Sequence, residues 1–152
     1  MQPLKGVTVI DLSRFLAGPY CTAMLADLGA EVIKIETPQG DDSRQIGPFI
    51  DGESVYFSLL NRGKYSLTLD LKSDEGKERF YALCASADVL VENFRPGVAA
   101  RLGVDEASLK AINPGLIYCS ISGFGQQGPL SAKPAYDIIA QALSVIMSGT
   151  GE

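Results

Sequence analysis

Residues 6–36 read GVTVIDLSRFLAGPYCTAMLADLGAEVIKIE, and this stretch decides the fold. Its opening, 6–12 (GVTVIDL), is a short apolar run rich in β-branched side chains, the pattern of a buried strand. Over 17–28, Ala17, Cys21, Met24, Leu25 and Leu28 recur at helical spacing. Pro19 falls in the first turn, where a missing N–H is tolerated. Gly29, able to take positive φ, stops the helix, and 31–36 (EVIKIE) is a second strand. Strand, helix and strand form one βαβ unit, which predicts a parallel sheet with a right-handed crossover.

The same alternation continues outward. Residues 37–52 (TPQGDDSRQIGPFIDG) are too rich in Gly, Pro and Asp for regular structure. A short helix is expected over 54–60, a strand over 66–71, and a helix from Ser73 to about Ala85 with Asp74 and Glu75 in its first turn. Further strands are expected over 88–92 and 116–121, with a short helix near Arg101 and another over 105–112. A Gly-rich loop spans 122–133, and a last helix spans 137–147. The pattern predicts an α/β fold, a Rossmann-like doubly wound and mostly parallel sheet.

Composition narrows the function. The chain has 152 residues, is 46% hydrophobic and 20% charged, and carries a net charge of −5. That charge argues against a nucleic-acid surface, and no apolar run reaches the roughly 18 residues needed to span a bilayer. The first residues are too short an apolar run for a signal peptide, so a cytoplasmic location is expected. Cys21, Cys84 and Cys119 lie far apart in apolar stretches and read as buried thiols of a reducing compartment, with no metal expected. There is no histidine, which removes Ser-His-Asp and Cys-His catalysis and the usual proton shuttle.

Ligands of such sheets bind beyond the C-terminal strand ends. After the first strand the chain reads Ser13-Arg14-Phe15-Leu16-Ala17-Gly18-Pro19 rather than G-x-G-x-x-G, so the dinucleotide turn is missing. No P-loop motif is present either. The strand-end segments carry a sparse basic set, Arg14, Arg44, Lys72, Arg95 and Arg101, which suits phosphate groups or reads equally as solvated surface.

Taken in order, residues 6–36, 61–78 (NRGKYSLTLDLKSDEGKE), 87–103 (ADVLVENFRPGVAARLG), 113–129 (NPGLIYCSISGFGQQGP) and 134–144 (PAYDIIAQALS) resemble the N-terminal part of class III coenzyme A transferases of the CaiB/BaiF type, formyl-CoA transferase among them. The resemblance covers essentially the whole chain. It implies an enzyme that moves CoA between an acyl-CoA and a carboxylic acid, in an interlocked homodimer. An aspartate attacks the thioester to give a mixed anhydride, and an enzyme–CoA thioester follows. The related α-methylacyl-CoA racemases carry a histidine where this chain has Tyr136. A phenol, whose ordinary pKa is about 10, is a poor base at neutral pH, so the isomerase stands as an alternative, as does a non-catalytic CoA-binding module.

Carried over residue by residue, the resemblance places Leu16 and Ala17 beside the acyl end of CoA, although some members have glutamine in place of Leu16. Thr37 falls where some relatives carry an arginine for the nucleotide, leaving that part to Arg44 or to the main chain. Leu69, Leu71 and Lys72 fall at the adenine-flanking strand end. Asn93, Phe94 and Arg95 fall beneath the diphosphate and pantetheine, Arg101 falls at a phosphate, and Ala135, Tyr136 and Asp137 fall at the active-site rim. Asp137 is also an in-chain candidate for the nucleophile, but its place at a helix start suits a first-turn carboxylate. The catalytic aspartate is expected after Glu152, in a Gly-Asp pair. Residues 1–152 are accordingly expected to be an N-terminal CoA-binding segment, inactive alone, with the family's small domain and C-terminal return segment lying outside it.

Overall fold

The computed structural model describes residues 2–151. Five parallel strands form the sheet: β1 (Thr8–Asp11), β2 (Glu31–Glu36), β5 (Lys64–Thr68), β6 (Val89–Glu92) and β7 (Ile117–Ser120), in the spatial order β5-β2-β1-β6-β7. The chain winds outward from β1 to β5, returns across β1, and continues outward through β6 and β7. It is therefore a doubly wound sheet whose strand order reverses between β1 and β6.

Strand alternation sends side chains to two cores. On one face Ile10, Leu90 and Leu116 pack with Phe80 and Cys84 of α3 (Asp74–Cys84) and Leu109 of α5 (Glu106–Ile112). On the other, Val9, Val32 and Val91 meet Leu25 and Ala26 of α1 (Ala17–Asp27). Burial pushes the Cys84 thiol up to about 12, which keeps it protonated and unreactive. Cys21 and Cys119 are half-buried free thiols.

Three local expectations need correction. The loop 37–52 is not wholly irregular: a 3-10 turn spans Asp42–Gln45, and β3 (Phe49–Ile50) pairs with β4 (Glu53–Ser54) as a small antiparallel hairpin ahead of α2 (Val55–Leu60). Asp41 nucleates that turn, its carboxylate accepting from the Ser43 N–H at 2.9 Å and the Ser43 hydroxyl at 2.7 Å.

The third large strand runs Lys64–Thr68 rather than 66–71, because the Lys64 ammonium is drawn under the sheet to Asp11, 2.9 Å away. Leu69, Leu71 and Lys72 consequently lie beyond the strand end. The last helix is broken into α6 (Asp137–Leu143) and α7 (Ile146–Thr150), with Val145 at φ 65° between them. Both pieces are exposed along most of their length, so little burial within the described residues favours one continuous helix.

Candidate functional site

At the C-terminal ends of the strands lies a cleft of about 240 Å³. One wall is apolar and comes from strand ends: Leu12 after β1, Ile35 in β2, and Leu69 and Leu71 after β5. Phe94, after β6, and Val98 and Leu102 of α4 (Val98–Leu102) complete the apolar lining. Arg14, Glu36, Thr37, Asp41, Asp70 and Lys72 add the polar part of the lining. An apolar slot with a few convergent polar groups is the usual composition of a small-molecule site. Its place beside β1 and β6 is where the strand order reverses.

Two loops shape the cleft, and buried charge pins both. In the first, the Asp11 carboxylate accepts from the Ser13 N–H at 2.9 Å, the Thr22 hydroxyl at 2.6 Å and the Lys64 ammonium at 2.9 Å, and also from the Ser13 hydroxyl. Lys34, with only 1% of its surface exposed, donates to the Ser13 carbonyl at 2.8 Å and pairs with Asp41, also at 2.8 Å. Asn93 brackets the next residue, accepting from the Arg14 N–H at 2.8 Å and donating to the Arg14 carbonyl at 2.7 Å. A Cβ on Gly18 would stand 2.1 Å from the Ser13 Cβ, so the start of α1 approaches this loop as only glycine allows. Held this way, the loop presents Phe15 at φ 64° with Leu16 exposed at its tip. A left-handed non-glycine residue of this kind is the sort of strain that persists only where its surroundings over-determine it.

The second loop follows β2. The Glu36 carboxylate takes both arms of the Arg44 guanidinium at 2.7 Å, the Ser66 hydroxyl at 2.6 Å and the Asp41 N–H at 3.0 Å. Arg44 in turn lies 3.7 Å over the Phe57 ring. Burial alone would raise the Glu36 pKa, but the Arg44, Ser66 and Asp41 hydrogen bonds outweigh it and hold the carboxyl down to about 2. Burial likewise opposes the ionisation of Asp41, but the Lys34 ammonium and the Ser43 hydrogen bonds outweigh it and lower the Asp41 pKa.

A carboxyl with a depressed folded pKa stabilises the fold fully above its unfolded value and loses that contribution as the pH falls toward the folded one. Urea titrations between pH 5 and 2 should therefore show stability falling below about 4.5. Arg44→Met should be less stable at pH 6 and should flatten that fall. Parallel acid profiles for the two proteins would remove Glu36 from the account.

The cleft gathers Thr37, Leu69, Leu71, Lys72 and Phe94 of the residues expected from sequence. Asn93 is spent on the Arg14 backbone, Leu16 sits on the loop it braces, and Ala17 opens α1. Arg44 is occupied by Glu36 and does not line the cleft. Arg95 and Arg101 are exposed and outside its lining. Ala135, Tyr136 and Asp137 stand at the start of α6, also outside it. Ala135 packs so closely on Gly123 that an added Cβ there would lie 2.0 Å from its own.

Sequence reasoning did not single out Leu12, Ile35, Val98 and Leu102, the remaining apolar walls. It also missed the buried pairs of Lys34 and Lys64. A lysine inside the apolar run EVIKIE was the available signal, since such a side chain is buried only with a partner.

The sequence profile of CoA-transferase family III matches residues 4–152. The chain belongs to CoA-transferase family III. This family III chain is 54% identical over 150 residues to the acetyl-CoA:oxalate CoA-transferase of Acetobacter aceti, covering 98% of the chain and 39% of that relative. It is 50% identical over 158 residues to the succinate–glutarate CoA-transferase of Agrobacterium fabrum, covering 99% of the chain and 40% of that relative. Among solved structures, a CaiB/BaiF family protein from Brucella suis superposes with a TM-score of 0.93 at 49% identity, over 99% of this chain and 41% of that one. The family III chain thus spans about two fifths of the length of these relatives.

Proposed function

We propose that residues 1–152 form the CoA-binding segment of a CoA transferase that exchanges CoA between an acyl-CoA and a carboxylic acid. The observation that carries this reading is the cleft itself, a largely apolar space of about 240 Å³ with Lys72 and Arg14 in its lining. In this reading the adenine inserts between Leu69, Leu71 and Phe94, with Lys72 at a phosphate. The pantetheine arm runs past Asn93 to the loop at Leu16 and Ala17. Arg95, Arg101, Thr37 and the start of α6, with Ala135, Tyr136 and Asp137, border the remaining path, and Arg44 acts through Glu36.

The nucleophilic aspartate is placed beyond Glu152. Its carboxylate oxygen attacks the acyl-CoA carbonyl and expels CoA thiolate. The thiolate then attacks the enzyme carbonyl of the anhydride, releasing the first acid and leaving an enzyme thioester for the second. Oxyanion stabilisation in each step falls to backbone amides near the thioester. Relatives named for oxalate and glutarate support a dicarboxylic acid as acceptor, and a homodimer completes the site.

The test uses the complete polypeptide that carries this chain, assayed for CoA exchange between acyl-CoA donors and small dicarboxylic acids. Lys72→Ala should raise KM for the CoA ester about tenfold while leaving kcat within about twofold, the pattern of a contact made equally in ground and transition states. No exchange with any donor, or an unchanged KM in the variant, would contradict the assignment.

A further inference from the structure

We propose that Arg14 is a phosphate-binding residue of the cleft, masked by Asp42 until a ligand arrives. The inference rests on the cleft being a CoA site, and it adds a residue that neither the resemblance nor the family match assigns.

Among the described residues lining the cleft, the cations are Arg14 and Lys72. The neighbouring cations are already committed. Lys34 is buried against Asp41 and the Ser13 carbonyl. Lys64 is divided among Asp11, the Pro19 carbonyl and Asn61, each 2.9 Å away. Arg44 is locked onto Glu36 by two bonds of 2.7 Å. These pairings neutralise Glu36 and Asp41, the two buried acids at the cleft, which leaves the exposed Asp70 as the unpaired carboxylate among the described lining residues. The same pairings leave Arg14 and Lys72 to receive an entering phosphate.

Arg14 differs from the committed cations in the quality of its partner. It pairs with Asp42, and both side chains are open to water, 39% and 54% exposed. An exposed carboxylate pair contributes little, whereas a guanidinium facing a phosphate makes two parallel, charge-assisted bonds. The backbone on either side is held: Asn93 clamps the Arg14 amide and carbonyl, and Asp42 opens a turn capped by Asp41. Only the guanidinium needs to swing, from the Asp42 carboxylate to the ligand. Asp42 is then a competitor for Arg14, and its removal should favour binding.

Calorimetric titration of the complete polypeptide with CoA tests this, with pantetheine, which lacks the phosphates, as a competing ligand. Arg14→Gln should weaken CoA about tenfold and leave pantetheine within about twofold, and Arg14→Lys should recover part of the loss. Asp42→Asn should tighten CoA severalfold. Equal CoA affinity in Arg14→Gln, equal losses for CoA and pantetheine, or weaker CoA binding in Asp42→Asn would each overturn the proposal while leaving the CoA site standing. Failure of the unsubstituted protein to bind CoA would remove both.

Discussion

Replacing Lys34 by methionine should destabilise the protein by about 3–5 kcal/mol, the usual cost of removing one partner from a buried ion pair. The side chain is 1% exposed and meets Asp41 at 2.8 Å and the Ser13 carbonyl at 2.8 Å. Methionine fills much of the same volume, so the loss is electrostatic: an uncompensated Asp41 carboxylate and an unpartnered carbonyl. Adding Asp41→Asn removes the stranded charge while keeping an acceptor for Ser43. The double variant should therefore regain at least about 1 kcal/mol, a coupling expected only between side chains in contact. Urea unfolding of the single and double variants reads both quantities. Additive losses would mean that Lys34 and Asp41 act independently.

Filling the cleft should have the largest effect on function. Val98 stands on α4 and lines the cleft of about 240 Å³. Tryptophan at this position occupies the slot from a half-buried, solvent-adjacent helix, so the fold should tolerate it. CoA affinity should fall at least about a hundredfold, equivalent to about 2.7 kcal/mol, with a small change in Tm. Full CoA binding by Val98→Trp would place the nucleobase elsewhere.

The sheet was legible because its signals are local. The run GVTVIDL, the helical spacing from Ala17 to Leu28 and the stop at Gly29 each follow from short-range physics, and their succession implies parallel pairing. Where the reading slipped, the deciding interaction was distant in sequence. Lys64 begins its strand early because its ammonium reaches Asp11, 53 residues away. The loop after β2 acquires structure because Asp41 is anchored from Lys34 and its own side chain caps the following turn.

The site divides in the same way. Leu69, Leu71, Lys72 and Phe94 were named from the family resemblance, and they line the cleft because the chain segments after β5 and β6 converge there. Arg44 looked like a ligand residue by type and position, yet Glu36, eight residues before it, claims the guanidinium. Composition cannot reveal which of several arginines is already satisfied, since that depends on pairings made in three dimensions. Tyr136 and Asp137 lie at the start of an exposed helix, outside the lining of this cleft.

Under the proposed function, the wound sheet holds a phosphorylated thiol carrier between the β1–β5 strand ends and α4. A crystal structure of the complete polypeptide grown with CoA measures this directly. The adenine ring is expected between Leu71 and Phe94, with a phosphate oxygen within hydrogen-bond distance of the Lys72 ammonium. CoA bound in good density with this cleft empty would contradict it.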